Sequence, residues 1–338
     1  MKAGICYDLR DTYLSMGYSE EETAEFDKSE TIDAIGSALL TAGFEIEKIG
    51  HAKQLIELLH NGKRWDIIFN ICEGLKGVGR EAQVPAILDL YDIPYVFSGP
   101  LVLSLCLDKA MTKRVVRDLG LPTPDFHVVN CESDLLDVKL RFPLFVKPVS
   151  EGTGKGISEK SVIKSTEQLI MAGKHLLPLY PQGILVERFL PGREFTVGIL
   201  GSGKSARAIG TMEILHNRLS ESSVYSYETK ENYQSRVYYE IPEKEIILSC
   251  QELALYAWRG LGCLDAGRVD LKMDENGVPS FIEVNPLAGL NPDHSDLPIL
   301  AGKMGIDYNS LISEIMNSAL SRITRTSQQL PNLVLPGK

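Results

Sequence analysis

Short apolar runs alternate with amphipathic segments over the first hundred residues. The runs KAGICY, FEIEKI, DIIFNI and IPYVF predict strands, and residues 31–42, 52–59 and 81–91 have the apolar spacing of helices. Strands that alternate with helices are typical of a parallel sheet with right-handed crossovers. Functional loops then lie at the carboxyl ends of the strands, here near residues 8–10 and 70–79.

The pattern changes after residue 103. The runs FHVV, FPLFVKPV and ILVER predict a second set of strands, and EFTVGIL and SARAIGTMEIL begin a third. A polar segment, 217–236, precedes a long amphipathic helix and a hairpin. We therefore predict an α/β lobe followed by two α+β lobes, with boundaries at 1–103, 104–190 and 191–323 and a frayed tail over 324–338.

The length and composition of the chain exclude several classes of protein. A chain of 338 residues is longer than one hydrophobic core usually supports, and its formal net charge of −10 has the wrong sign for coating nucleic acid. No stretch approaches the length of a membrane helix and the N-terminus does not look like a signal peptide, which predicts a cytoplasmic protein. The scattered cysteines and histidines argue against zinc and disulfides.

Two segments compete as a phosphate-binding loop. Residues 198–205 read GILGSGKS, a full match to a phosphate-loop pattern that needs a strand before it and a helix after it. Both flanks here are strand-like, so we interpret Gly-Ser-Gly as the turn between two strands. A P-loop nucleoside triphosphatase that uses Lys204 is therefore a disfavoured alternative.

The other candidate is FVKPVSEGTGKGIS, in which Lys147 ends a strand. Three glycines within five residues suit a flexible loop that can fold over a triphosphate. Thr153, Lys155 and backbone amides are its available donors. A plain flexible turn would not explain the Lys-Pro pair that precedes it.

The segment AGRVDLKMDENGVPSFIEVNPLAG predicts a metal-binding hairpin. If Asn-Gly forms a two-residue turn, Asp270 faces Glu283 and Arg268 faces Asn285, all on one face. Opposed carboxylates repel unless a cation lies between them, and Mg²⁺ prefers oxygen ligands and substrate phosphates. Arg268 could supply positive charge to a transferring phosphoryl group. The alternative is a solvent-facing hairpin with incidental charges.

Three segments, in this order, resemble the ATP-grasp superfamily and, within it, the D-alanine-D-alanine ligase family: KPVSEGTGKGIS, LVERFLPGREFTVGILG and GRVDLKMDENGVPSFIEVNPLAG. The resemblance covers about residues 67–312 well and the N-terminal lobe loosely. It implies an ATP-grasp fold that holds ATP between two α+β lobes. It also implies that a carboxylate substrate is phosphorylated to an acyl phosphate, which an amine then attacks.

The resemblance also implies a role for each matching residue. For ATP these are Lys109, Lys147, Glu151, Gly152, Gly154, Gly156, Glu187, Arg188, Phe189, Leu190 and Glu194. For magnesium they are Asp270, Glu283 and Asn285. For catalysis they are Arg268, the backbone at Gly289, Lys230 on a mobile loop, and Thr153 in the loop that closes over the phosphates.

The amino-acid site departs from the family pattern. The glutamate that holds the first substrate's ammonium has no clear match, and Glu25 is a candidate for it. Glu73 stands near the place of the family's histidine loop, and Glu231 replaces a tyrosine. Only His294 and Ser295 remain of the stretch that holds the second substrate's carboxylate.

We therefore predict a ligase that uses ATP and Mg²⁺ to join amino-acid-like substrates other than two D-alanines, with ADP and phosphate as products. An authentic D-alanine-D-alanine ligase of cell-wall synthesis is the nearest alternative. A non-catalytic ATP-binding regulator is disfavoured because the catalytic set is complete. The predicted partners are small molecules, with no nucleic acid and no membrane, and the family implies a homodimer.

Overall fold

The computed structural model describes residues 1–216 and 237–329, and within them the chain forms twelve strands and ten α-helices. The strands are β1 Lys2–Tyr7, β2 Glu45–Gly50, β3 Ile67–Ile71, β4 Phe126–Val129, β5 Leu144–Pro148, β6 Val162–Ile163, β7 Ile184–Arg188, β8 Glu194–Leu200, β9 Arg207–His216, β10 Val237–Glu240, β11 Ala266–Met273 and β12 Pro279–Asn285. The helices are α1 Arg10–Ser15, α2 Ser29–Thr41, α3 Ala52–His60, α4 Gln83–Leu90, α5 Pro100–Leu107, α6 Lys109–Asp118, α7 Thr166–Leu176, α8 Lys244–Leu261, α9 Asp296–Lys303 and α10 Tyr308–Gln329.

The N-terminal sheet is parallel, in the order β2-β1-β3, as the alternation of strands and helices predicted. The prediction of a fourth strand at IPYVF is wrong. Tyr95 makes only an isolated parallel bridge to Ile68, and Phe97, two residues later, has a φ of 75°. Left-handed backbone at a bulky aromatic residue cannot continue an extended strand.

The other two sheets are antiparallel. The central sheet has the order β4-β7-β5-β6 and packs its apolar side chains against α7. The larger sheet has the order β10-β9-β8-β11-β12 and packs on α8 around the fully buried Trp258. The three sheets fall within the three predicted segments, whose boundaries stay predictions. Together they confirm the mixed α/β and α+β class.

The antiparallel pairing of β8 with β9 contradicts the phosphate-loop alternative. Lys204 lies in an exposed single turn between these strands, where the motif would require a helix. Gly198 is explained by packing, because a Cβ atom there would come within 3.0 Å of Leu300, Ile209 and Leu297. The match to the phosphate-loop motif is therefore a coincidence, because these residues form a tightly packed β-hairpin.

The C-terminal helices return to the N-terminal lobe. The core that surrounds β1, β3 and α2 also contains apolar side chains of α9 and α10. α10 extends to Gln329, so residues 324–329 are helical, and residues 330–338 lie outside the described part of the chain. This return packing brings the N-terminal lobe next to the two lobes of the predicted ATP site.

Candidate active site

A cavity of about 810 Å³ has walls from all three predicted lobes. The predicted residues that line it are Glu25, Glu73, Lys109, Lys147, Glu151, Gly152, Thr153, Gly154, Glu187, Arg188, Phe189, Leu190, Glu194, Arg268, Asp270, Glu283, Asn285, Gly289, His294 and Ser295. Gly156 is not part of the wall, and a Cβ atom there would approach Pro148 and Tyr180. Lys230 and Glu231 lie outside the described residues, so their predicted roles stay predictions.

The hairpin of β11 and β12 has the predicted pairing at the end that carries Arg268 and Asp270. Asp270 pairs with Glu283 and Arg268 pairs with Asn285. The predicted two-residue turn is wrong, however, because residues 274–278 form a longer loop in which the backbone N–H groups of Asn276 and Val278 donate to the Asp274 carboxylate. A register shift follows Asp270, since the next residue of β11 pairs with Phe281. The longer loop shifts the register by one residue and the bulge shifts it back by one, which restores the predicted pairing of Asp270 with Glu283.

Asp270 is held by several donors. Thr196 Oγ1 donates to one carboxylate oxygen at 2.6 Å, and Asn285 Nδ2 and the Arg268 guanidinium donate to the other at 2.9 Å each. Burial raises the pKa of Asp270, and Arg268 opposes this effect. Arg268 also lies 3.4 Å from Asp296, so the structure fixes its guanidinium between two carboxylates.

Glu283, across the hairpin from Asp270, is strongly ionised. Its nearest cation is Lys109, with Nζ 3.6 Å from the carboxylate. Burial acts to raise the pKa of Glu283, but Lys109, Lys147 and Arg268 together lower it to about 2. The positive charges of Arg268 and Lys109 therefore compensate the negative charges of Asp270 and Glu283. This reduces the repulsion that we predicted between the two carboxylates.

The donor set of this hairpin fits a magnesium ion. Two carboxylates and one amide oxygen face the cavity, a set that Mg²⁺ can share with substrate phosphates. In the described part of the chain, no three His, Cys, Asp or Glu side chains are grouped as a complete metal cage. A cation at this site would therefore need phosphate oxygens or water to complete its coordination.

The predicted nucleotide wall carries alternating charges. Lys147 Nζ lies 2.9 Å from Glu187, and both side chains are at least 95% buried. Glu194 accepts a hydrogen bond from Lys272 Nζ at 2.7 Å, and Arg188 pairs with Glu275. Glu194 can hold ribose hydroxyl groups only if it shares its carboxylate with Lys272.

The glycine-rich loop is fastened to the N-terminal lobe. The Gly152 N–H donates to Glu25 at 2.7 Å, and Arg80 donates to Glu25 and to the Ser150 carbonyl oxygen at 2.9 Å each. Lys155 Nζ lies 3.7 Å from Glu25. Although burial opposes it, this positive surrounding lowers the pKa of Glu25. Glu25 is therefore already neutralised by the protein, which counts against it as the carboxylate for a substrate ammonium.

A second group of carboxylates lines the same end of the cavity without such donors. Within residues 1–216 and 237–329, no hydrogen bond or ion pair reaches the side chains of Glu73 and Glu81. Burial and then Glu81 raise the pKa of Glu73 well above its ordinary value, and burial raises the pKa of Glu81 to about 7. Burial also raises the pKa of Asp27 to about 7. Arg80 acts to lower the pKa of Glu73, and Arg80 and Lys109 act to lower that of Glu81, but burial outweighs them in both cases.

The last loop completes the wall opposite these carboxylates. Asn291 Nδ2 donates to Thr31 Oγ1 of the N-terminal lobe at 3.0 Å, and Ser295 Oγ accepts from the Asn291 N–H at 3.0 Å. A Cβ atom at Gly289 would come within 2.8 Å of Ser295 Oγ, so the backbone there approaches closely. The loop thus presents backbone groups and His294 to the cavity.

The sequence reasoning missed several cavity residues, among them Lys272, Glu81 and Asp296. Lys272 follows Arg268 and Asp270 at two-residue spacing, so strand alternation could have placed it on the same face. Glu81 and Asp296 carried no such signal, because a 3₁₀ turn and the start of α9 bring them into the wall.

Comparisons with known proteins identify the family. Residues 115–317 match the family model described as the D-ala D-ala ligase C-terminus. A D-alanine--D-alanine ligase of Aquifex aeolicus is 32% identical over 91% of this chain and 100% of its own length, and one of Bordetella petrii is 31% identical over 86% of each. An uncharacterized protein, y4sG, of Sinorhizobium fredii is 31% identical over 76% of this chain and 75% of its own.

Solved structures agree on the fold. A D-alanine--D-alanine ligase of Bacillus anthracis complexed with ATP superposes with a TM-score of 0.72 at 24% identity and covers 97% of this chain and 99% of its own. The VanG D-Ala:D-Ser ligase of Enterococcus faecalis has the same TM-score at 20% identity, covering 94% and 99%. Fold, family model and relatives together show that the chain is an ATP-dependent carbon-nitrogen ligase of the ATP-grasp type and belongs to the D-alanine-D-alanine ligase family.

Proposed function

We propose that the protein joins two amino-acid-like substrates through an acyl phosphate, and that one of them carries a positive group besides its α-ammonium. The observation that supports the substrate class is the pair Glu73 and Glu81, which line the cavity and receive no donor from the described residues. One α-ammonium can occupy one carboxylate. Two carboxylates without donors suit a diamino acid better than alanine, because half-buried carboxylates that a substrate covers are stabilised only when they are paired.

The reaction we propose begins at the nucleotide wall. Lys109 and Lys147 would bind ATP phosphates, and Asp270, Glu283 and Asn285 would hold the magnesium ion that neutralises phosphate charge. A carboxylate oxygen of the first substrate attacks the γ-phosphorus as the bond to ADP breaks. The amine of the second substrate then attacks the acyl carbon, and phosphate leaves as the nitrogen loses its proton.

Arg268 has the geometry to assist the second step. Its guanidinium lies between Asp270 and Asp296 at the edge of the cavity, so its position is fixed before the reaction. A fixed positive group next to the developing oxyanion stabilises the tetrahedral intermediate without reorganisation. The Gly289 backbone would line the same place, and the glycine-rich loop would exclude water from the acyl phosphate.

The test is phosphate release from pairs of amino acids. Diamino acids of both configurations and D-alanine are each offered as the first substrate, and the products are identified by mass spectrometry. We expect a diamino acid to have the highest kcat/KM, and Glu73→Gln or Glu81→Gln to remove that preference. Glu57→Gln, an exposed glutamate of the same lobe, is the control that should change nothing.

An authentic D-alanine-D-alanine ligase is the second candidate. It is supported by curated relatives with that activity that share 31–34% of their residues with this chain. Rapid turnover with D-alanine alone, unchanged in Glu73→Gln, would favour this function and contradict the diamino-acid proposal.

The quaternary structure and location stay predictions. A homodimer in the cytoplasm is what the family implies. In the described residues no helix has the length and apolar character that a membrane span requires.

A further inference from the structure

Lys113 is a buried lysine to which neither the sequence motifs nor the proposed reaction gives a role. It lies in α6, is 0% exposed and is not part of the cavity wall. Its ammonium lies 3.0 Å from Glu187 Oε2 and donates to Thr123 Oγ1 at 3.1 Å and to the Phe281 carbonyl oxygen at 3.3 Å. The ammonium thus makes two hydrogen bonds and one ion pair. Such burial is rare and calls for a reason.

Glu187 connects Lys113 to the cavity. Its other oxygen, Oε1, lies 2.9 Å from Lys147 Nζ, and both Glu187 and Lys147 line the cavity. Burial acts to raise the pKa of Glu187, but the two lysines hold it below its ordinary value. With Lys147 alone, Glu187 would form a neutral pair. With Lys113 as well, the buried group carries one net positive charge.

Lys113 also connects the two lobes that form the cavity. Phe281, whose carbonyl oxygen it contacts, belongs to β12 and is separated from Glu283 only by Ile282 at the bulge. Thr123 Oγ1 donates to the same carbonyl oxygen at 2.9 Å. The lysine therefore joins the nucleotide wall on β7 to the strand that carries Glu283.

We propose that Lys113 is a positioning residue for ATP, acting through Glu187. It fixes the Glu187 carboxylate in the wall and offsets its charge, so that Glu187 does not cancel the positive charge that Lys147 presents to the phosphates. This inference goes beyond the proposed function, because it concerns nucleotide affinity whichever amino acids are joined. An incorrect substrate assignment would leave it untouched.

Calorimetric titration of the full chain with ATP, and separately with inorganic tripolyphosphate, tests the proposal without amino-acid substrates. Lys113→Met should weaken binding of both by about tenfold or more, since a charge effect of ~1.4 kcal/mol is a factor of ten. The KM values for the amino acids should stay within about twofold. Arg322→Met is the matched control: it removes a cation from another buried carboxylate, Asp265, and should lower the Tm without changing the Kd of ATP.

A purely structural role makes the opposite prediction. Lys113→Met would then lower the Tm, as Arg322→Met does, while the folded protein kept the wild-type Kd for tripolyphosphate. That result would overturn the proposal.

A second pair of variants keeps the test independent of whether Lys113→Met folds. Glu187→Gln leaves both lysines uncompensated, and the double variant Lys113→Met/Glu187→Gln restores the net charge of the wild type. Because Glu187→Gln removes the carboxylate through which Lys113 acts, we expect the double variant to bind tripolyphosphate with the same Kd as Glu187→Gln, within about twofold. A Kd about tenfold weaker in the double variant would show that Lys113 acts without Glu187 and would also overturn the proposal.

Discussion

Two acidic regions of this protein, Asp265, which is fully buried, and the half-buried pair Glu73 and Glu81, differ in whether the chain supplies their hydrogen-bond donors. Asp265 is fully buried and accepts hydrogen bonds from the Phe97 N–H and Arg322 at 2.9 and 2.8 Å, and from the hydroxyls of Ser202 and Ser318 at 3.1 and 2.9 Å. These donors come from the N-terminal lobe, the β8–β9 turn and α10. Through these hydrogen bonds the Asp265 carboxylate connects three parts of the chain.

The carboxylates of the cavity have the opposite arrangement. Glu73 and Glu81 receive no such donors from the described residues, and the nearby Arg80 is already bound to Glu25. A carboxylate that is removed from water without a partner destabilises the fold, whereas a fully paired one can be retained even when it is fully buried. The comparison teaches that the donors which the chain supplies distinguish an acidic group that holds the protein together from one that is left accessible to a ligand.

The strongest way to test this division is Glu283→Gln. If the cavity carboxylates serve the reaction, phosphate release should fall by about 10²–10³-fold, because charge stabilisation of the phosphoryl group is lost. The readout is turnover and not the Tm, because Lys109, Lys147 and Arg268 lower the pKa of Glu283 and its ionised form therefore also stabilises the fold. Wild-type turnover at ordinary magnesium concentration would contradict the assignment of this site.

The second test removes the charge of the carboxylate that has many donors, in the variant Asp265→Asn. Removing the charge leaves Arg322 without its carboxylate, and breaking a buried ion pair typically costs about 3 kcal/mol or more. We expect the free energy of unfolding in urea to fall by about that amount, while the folded protein keeps its Kd for ATP. Ser318→Ala, which removes one donor and keeps the carboxylate, should cost only about 1 kcal/mol. A loss of ATP affinity without a loss of stability would break the comparison.

The smallest effect should be a gain of stability in Glu81→Gln. Its pKa is about 7 in the folded protein against an ordinary value of 4.5, so the folded state holds this proton more tightly than the unfolded state does. The ionised carboxylate therefore destabilises the fold increasingly as pH rises from about 4.5 to about 7. We expect Glu81→Gln to unfold with about 1–3 kcal/mol more free energy than wild type at pH 8 and with nearly the same free energy at pH 4. A stability difference that does not depend on pH would show that Glu81 already has a partner.

The limits of prediction from sequence are clearest in the β11–β12 hairpin. The pairing of Asp270 with Glu283 follows from strand alternation and could be predicted, although the turn that justified it was wrong. The predicted register is found because the register shift in the longer loop is reversed by the shift at the bulge. Such a pair of shifts leaves no periodic signal in the sequence. The phosphate-loop match at residues 198–205 shows the reverse case, in which a complete motif has the wrong secondary structure around it.

By itself the sequence determined the elements and the ATP-grasp family, because strand and helix periodicity and the order of the motifs are local properties of the chain. Which charges are compensated was decided only by the tertiary structure. Glu25 and Glu73 look equivalent along the chain, yet one is bound by Arg80 and the Gly152 N–H and the other has no donor among the described residues. Lys113 likewise gains its role from Glu187 and Phe281, 74 and 168 residues away. Electrostatic pairing depends on distance in space, and no local pattern encodes it.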